Sequence, residues 1–265
     1  MSSTAETPRQ TPIVERVRHA FSARHVQLLR REAISPGFIR LTLGGPELQG
    51  FVSAGFDDHV KFILPQAGQD KPNLPVMVDG RPHIDGERPI MRDYTPLRFD
   101  ATANTLELDF AVHGSGPAVD WASKAPIGQW FGLAGPRGSM VVSAELDWHL
   151  FLGDETAMPA IERRLAELPA GTRAIVRVQV ANLADQRPWQ SRAQIDCVFV
   201  TSLLAAAEQL ELPQGDGFVW GGGESHVMAA VREQMLAKGA DPKRMRISSY
   251  WKQGEADHHE ELNAQ

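Results

Sequence analysis

The 265-residue chain has one cysteine, Cys197. That scarcity excludes an intramolecular disulfide and a cysteine-ligated iron–sulfur cluster held by a single copy. Cys197 stands inside the apolar run 195–200 and reads as a buried core thiol. No run approaches the ~18 apolar residues that a membrane span needs. The N-terminus lacks an apolar stretch of the signal-peptide kind, so a cytoplasmic location without a membrane partner is expected. Positive charge is in deficit: 27 Lys and Arg against 33 Asp and Glu leave −6, which argues against a nucleic-acid partner. There are no internal repeats and no low-complexity tracts. His258, His259, Glu260 and Glu261 are metal-ligand types, but they fall in a polar stretch that reads as solvated, so no metal site is expected.

What is present is ordinary globular material, 42% hydrophobic and 23% charged, enough for a substantial core in one large domain or two smaller ones. Two different periodicities divide it. From about residue 16 to 143, short strands alternate with Gly/Pro turns, with candidates at 38–43, 60–64 and 105–112. In the last of these, Leu106, Leu108, Phe110 and Val112 alternate with Thr105, Glu107, Asp109 and Ala111, the period of a half-buried strand. Residues 66–90, rich in Pro, Gly and Asp, read as a long loop. Such a series suggests a small antiparallel barrel. From 147 to 256 strands alternate with helices. Strands are expected at 148–152, 173–181, 195–200, 218–220 and 244–251. Ala157, Ile161, Leu165 and Leu168 mark one helix, Ser202 caps a second, and Ser225 caps a third carrying Met228, Val231 and Met235. That order implies a doubly wound parallel sheet. The boundary falls near 143–147, with a disordered tail at 1–15 and a polar tail at 257–265.

Several motifs carry chemistry. In an extended segment, Arg92 and Tyr94 share one face and Thr95 the other. These residues can meet a phosphate, stack on a planar cofactor and offer a hydroxyl to a ring nitrogen. His113, Gly114, Ser115 and Gly116 precede Pro117 and Ala118, and Pro117 suits the first position of a short helix that includes Trp121. A helix N-terminus there offers free N–H groups to an anion. Gly153, Asp154, Glu155 and Thr156 follow an apolar strand, where open α/β sheets bind ligands, but this is not Gly-x-Gly-x-x-Gly, and two acids would repel phosphates. Further along come Trp220-Gly221-Gly222-Gly223-Glu224 and Tyr250-Trp251-Lys252-Gln253-Gly254.

The ordered series resembles the siderophore-interacting protein family, FAD-dependent ferric-siderophore reductases of the ferredoxin-reductase superfamily, over roughly residues 16–256. The resemblance implies a six-stranded antiparallel flavin-binding barrel followed by an NAD(P)H-binding-like α/β domain. It implies that Arg92 meets the FAD phosphates, that Tyr94 stacks on the flavin, and that Thr95 lies near its N5 edge. Other cofactor contacts are implied at His59, His113, Gly116, Pro117, Ala118, Trp121, Asp154, Thr156 and Trp251. The chain departs from the family pattern at Pro96, at Leu97, where an Arg is common and Arg98 could substitute, and at Ser249, where Gly is common. Ferric siderophores are bulky and often anionic, so a basic pocket is expected. Lys61, Arg246 and Lys252 are the candidates, with Arg137 and Arg244 nearby in pattern. The activity implied is reduction of ferric siderophore to release Fe(II), with NAD(P)H or reduced ferredoxin as donor, by a monomer. The alternatives are a flavin or ferredoxin–NAD(P)H reductase on the same fold, or a non-enzymatic siderophore or flavin carrier.

Overall fold

The computed structural model describes residues 13–112, 116–254 and 260–261. The N-terminal part is built on one antiparallel sheet. Its strands are β2 (Ala23–Ser35), β3 (Phe38–Gly44), β4 (Val60–Ile63), β7 (Met91–Tyr94), β8 (Arg98–Asp100), β9 (Thr105–Ala111) and β10 (Trp130–Ala134), in the order β7-β4-β10-β2-β3-β9-β8. β1 (Val14–Arg18) and β11 (Gly138–Val142) form a separate antiparallel pair. Strands β7 and β8 lie at opposite edges of the sheet, yet only Thr95, Pro96 and Leu97 join them. A flat seven-stranded sheet would part its edges by about 29 Å, while that link spans about 14 Å at most. The sheet must therefore curl until its edges meet, and residues 95–97 form the seam. The interior is apolar: Leu106, Leu108 and Phe110 of β9 are fully buried as their alternation requires, together with Val26, Leu41, Phe62 and Phe131.

Four details differ from the sequence expectation. The sheet has seven strands rather than six, because the short β8 extends its edge. β1 begins at Val14, two residues inside the stretch expected as a tail. The expected loop 66–90 contains a hairpin, β5 (Val76–Val78) and β6 (Arg81–His83). The turn between these strands is Asp79-Gly80, both at positive φ, as a type I′ turn demands. Finally, Glu260 and Glu261 pair with Ser249 and Ser248 and add an antiparallel strand, β17, where a tail was expected. His258 and His259 lie outside the described residues.

The C-terminal part is a parallel sheet in the order β14-β13-β12-β15-β16, with β17 at the edge. These strands are β12 (Trp148–Gly153), β13 (Arg173–Gln179), β14 (Gln194–Val200), β15 (Gly217–Glu224) and β16 (Met245–Trp251). Helix α2 (Met158–Glu167) covers one face, where Ala157, Ile161, Leu165 and Leu168 pack with Phe151, Val176 and Val178. Helices α3 (Leu203–Gln209) and α4 (Ser225–Ala237) cover the other, where Leu203, Met228, Val231 and Met235 pack with Leu150, Leu152 and Val219. Both faces of β12 are thus buried, which is why it reads as an uninterrupted apolar run. Ser202 caps α3 as expected, through Ala205 N. The α4 cap is Glu224 rather than Ser225, its carboxylate accepting from His226 N and Val227 N. Cys197 is half-buried rather than buried, because β14 is an edge strand with Val198 exposed beside it. Burial still pushes its thiol up to about 11.

The two parts share polar ties. Asp109 on β9 receives Arg40 on β3 in a two-pronged bond at 2.6 and 2.8 Å and Arg187, beyond β13, at 2.9 Å. Glu162 of α2 meets both arginines at 3.3 Å. Arg164, also on α2, donates to the Val142 and Ser143 carbonyls at the expected boundary.

Candidate active site

Strand β7 carries its residues on alternate faces. Tyr94 turns inward and lies 3.9 Å, centroid to centroid, from Phe110, closing the ring of aromatics across the seam. Arg92, on the same side of β7, donates to the Met91 carbonyl at 2.7 Å. Thr95 is buried directly after it. Arg163 of α2 clasps the seam from the C-terminal part, donating to the Pro96 carbonyl at 3.0 Å and to Ser53 Oγ and O at 2.8 Å. The departure at Leu97 is an ordinary core choice: it is 2% exposed and its N–H donates to the Glu107 carbonyl. Arg98 does not stand in for the expected arginine, since it points to the surface and bonds Glu107 at 2.8 Å.

Helix α1 (Pro117–Lys124) comes to the same region. Phe62 lies 5.2 Å from Trp121 on α1 and 5.8 Å from Tyr94 on β7, so one buried ring aligns both motifs. Pro117 opens the helix and Gly116, extended, has no side chain to cap the first-turn N–H groups. Among the described residues, a Cβ placed at Gly116 would meet nothing within 4 Å. Ala118 is buried behind it. His113, Gly114 and Ser115 lie outside the described residues. Free amide donors, an arginine and a ring-and-hydroxyl pair around a shared hub suit a diphosphate-linked planar cofactor. The residues present fit FAD.

A second cluster forms where the parallel sheet reverses its strand order. Gly153 of β12 pairs with Gly222 of β15, and this switch point is where open α/β sheets bind ligands. Asp154 is buried there, and its two oxygens accept four bonds. Oδ1 takes Thr156 N at 2.9 Å and Thr156 Oγ1 at 2.5 Å. Oδ2 takes Glu224 N at 2.9 Å and Trp251 Nε1 at 2.8 Å. Burial raises its carboxyl above the usual range, against the pull of the donors. Asp154, Thr156 and Trp251, expected as cofactor contacts, are thus brought into one unit. Asp154 is engaged by protein donors and holds the Trp251 indole. Glu155, the other acid expected to repel phosphate, accepts from Ala181 N.

A cavity of about 610 Å³ opens on the outer face of β4 and β7, beside the 76–83 hairpin. Lys61, His59, Arg137 and Arg88 are among its lining residues. Of the three residues expected to bind substrate, it gathers only Lys61, which pairs with Asp93 at 2.8 Å. Arg246 is turned elsewhere: its side chain is 12% exposed and meets Asp57 at 2.8 Å, and Asp57 also accepts from Trp220 Nε1. It ties the parallel sheet to the curled one. Lys252 follows Trp251 and is half-buried away from the cavity lining. Sequence reasoning missed Arg88 and His83; their only signal was basic side chains within a Pro/Gly-rich stretch.

A curled antiparallel sheet packed on a doubly wound parallel sheet defines the class of ferredoxin-reductase-like FAD proteins. The human Ncb5or CS-b5R structure shares the fold, with a TM-score of 0.63 at 15% identity over 88% of this chain and 70% of that one. Residues 27–140 match the siderophore-interacting FAD-binding domain and residues 146–254 the siderophore-interacting protein domain. A siderophore utilization protein from T. fusca superposes with a TM-score of 0.84 at 33% identity, covering 92% of this chain and 98% of the other. The NADPH-dependent ferric-chelate reductase of Escherichia coli is 37% identical over 89% of this chain and 96% of its own length. The ferric vibriobactin reductase ViuB of Vibrio cholerae is 31% identical over 90% and 93%. This chain belongs to the siderophore-interacting protein family, and its N-terminal part contains that family's FAD-binding domain.

Proposed function

We propose that the protein is an FAD-dependent ferric-siderophore reductase that frees iron as Fe(II) in the cytoplasm, acting as a monomer. The observation that carries this reading is the junction of the Arg92–Tyr94–Thr95 seam and the uncapped α1 N-terminus with a basic cavity across the same strand pair. Bound FAD would supply single-electron transfer to Fe(III). Siderophore oxygen donors hold hard Fe(III) tightly and Fe(II) weakly, so reduction releases the metal. The chain itself needs no acid–base pair. Arg92 and the backbone N–H groups of Gly116 and Ala118 would hold the diphosphate, with Pro117 fixing the first turn of α1; Tyr94 would stack on the ring, and Thr95 would offer its hydroxyl near N5. His113 and Trp121 would complete the cofactor contacts from α1, and His59 from the start of β4.

The Asp154–Trp251 unit at the switch point would position the incoming donor. NAD(P)H is favoured by the name of the Escherichia coli relative; reduced ferredoxin is the other donor. Lys61 and Lys252 are proposed to meet the anionic chelate. We divide the chain into a tail at 1–15, an FAD-binding barrel at 16–143, a reductase domain at 147–256 and a polar end at 257–265.

The test is the visible spectrum of the purified protein, followed by anaerobic reduction and addition of a ferric siderophore with a ferrous trap. Flavin bands that bleach, then return as the trap colours, support the reading. Bands that stay bleached point to a flavin or ferredoxin reductase with another acceptor, or to a carrier. A protein that stays colourless after incubation with FAD overturns it.

A further inference from the structure

The excursion between β4 and β7 is anchored at its base and bare at its tip. At the base, Leu64 N donates to the Ile90 carbonyl at 2.9 Å and Gln66 to the Glu87 carbonyl at 2.8 Å. Lys71 sits 3.8 Å from the centre of the Trp130 ring, and Leu74 occupies the space that a side chain at Gly132 would need. At the tip, all six residues of β5 and β6 are exposed, including Val76 at 52% and Met77 at 43%. A two-stranded ribbon of this kind adds nothing to a core and is marginal by itself. Its inner edge does have a use. Pro75, Pro82, His83 and Arg88 form one wall of the 610 Å³ cavity, and Lys61 and Arg137 belong to the other. A second cavity of about 680 Å³ shares Phe21, Arg137 and Gly138 with the first and adds Met77 and Arg18. The two make one trough, basic along its length and apolar between the charges.

The charges in this trough are unbalanced. Lys61 has Asp93, and His83 meets Asp85 at 3.1 Å. Among the described residues, neither Arg88 nor Arg137 has a carboxylate at ion-pair distance. Two guanidiniums brought to one cavity from separate elements repel each other unless an anion lies between them. We infer that the 75–88 ribbon is the selectivity element of the reductase, with Arg88 and Arg137 gripping a bulky polyanionic ferric chelate between them and Met77 and Pro75 packing on its apolar parts. This inference rests on the reductase reading only for the identity of the ligand. Ribbon sequence, acting with Arg137 on the facing wall, decides which chelates are accepted.

The test measures binding apart from turnover. Redox-inert gallium(III) complexes of a tris-catecholate (trianionic) and a tris-hydroxamate (neutral) are titrated against the FAD-loaded protein by tryptophan fluorescence. Arg88 is exposed, so Arg88→Gln should fold and keep its flavin. The expected result is a Kd for the trianionic complex raised about tenfold, a much smaller change for the neutral one, and recovery of most of the difference in Arg88→Lys. Equal weakening for both complexes, no weakening for either, or no binding by the parent protein would overturn the ribbon assignment. If the parent binds with this charge dependence yet the iron complex is never reduced, the ribbon assignment stands and the reductase reading falls.

Discussion

Asp154 shows how one residue can bind three segments. Its carboxylate reaches Thr156 in its own turn, Glu224 N at the end of β15 and the indole of Trp251 at the end of β16. Asp154→Asn keeps the shape but replaces one acceptor with a donor, leaving one of these N–H groups unpaired at a cost of about 1–3 kcal/mol. A lower thermal midpoint with altered tryptophan emission is expected; an unchanged melt would show that the carboxylate is dispensable. His149 is a different case. It is 1% exposed and stacked on Phe151, and burial, helped by the Arg164 charge, depresses its pKa to about 3. The unfolded chain takes up a proton near pH 6.5 that the folded one refuses until about 3, so stability is present above 6.5 and falls as pH drops through that window. At pH 4 the loss is about 3 kcal/mol. Melting curves from pH 7 to 4 should show it, and His149→Phe should flatten the slope.

Elements obey the same packing logic at larger spacing. The glycines at the end of β15 let neighbouring groups approach the strand. A Cβ on Gly222 would stand 3.0 Å from the Tyr250 ring, and one on Gly153 would stand 2.8 Å from the Gly222 carbonyl. The two strand ends therefore meet without side chains between them, with the Tyr250 ring and Ala157 packed directly against them. Gly222→Ala is expected to destabilise by about 1–3 kcal/mol through overpacking. If the ring is the obstacle, the double variant with Tyr250→Ala should recover most of that loss; additive losses would rule this out. The same reasoning explains the seam, where a three-residue link forces a whole sheet to curl and brings Tyr94 onto Phe110.

Across the whole molecule, the curled and parallel sheets are held together by a buried charge network. Asp109 neutralises Arg40 and Arg187 at once, with its side chain fully buried and theirs about nine-tenths buried. Removing that charge leaves Glu162 to face both buried arginines at the junction, with their closest partner lost. Asp109→Asn is expected to cost about 3–5 kcal/mol. Scanning calorimetry should show a lower midpoint and a broader transition as the halves uncouple, whereas a wild-type trace would mean that the arginines find other partners.

Local chemistry was legible in the sequence because it depends on neighbours along the chain. The alternation of Leu106, Leu108 and Phe110, the stripe of Ile161, Leu165 and Leu168, the Ser202 cap and the motif from Arg92 to Thr95 all depend on spacing alone. Their order along the chain also carried the family resemblance and so the expectation of FAD. The tertiary structure decided which charges face a ligand and which face each other. Arg246 and Lys61 look alike in sequence, yet Arg246 meets a buried aspartate from the other part of the molecule while Lys61 borders the cavity. Arg88, hidden in a stretch read as loop, joins that cavity only because the hairpin folds back over β4 and β7. The physical reason is that a charged side chain takes its role from its nearest opposite charge, and in a folded chain that partner can lie more than a hundred residues away, as Asp57 does from Arg246.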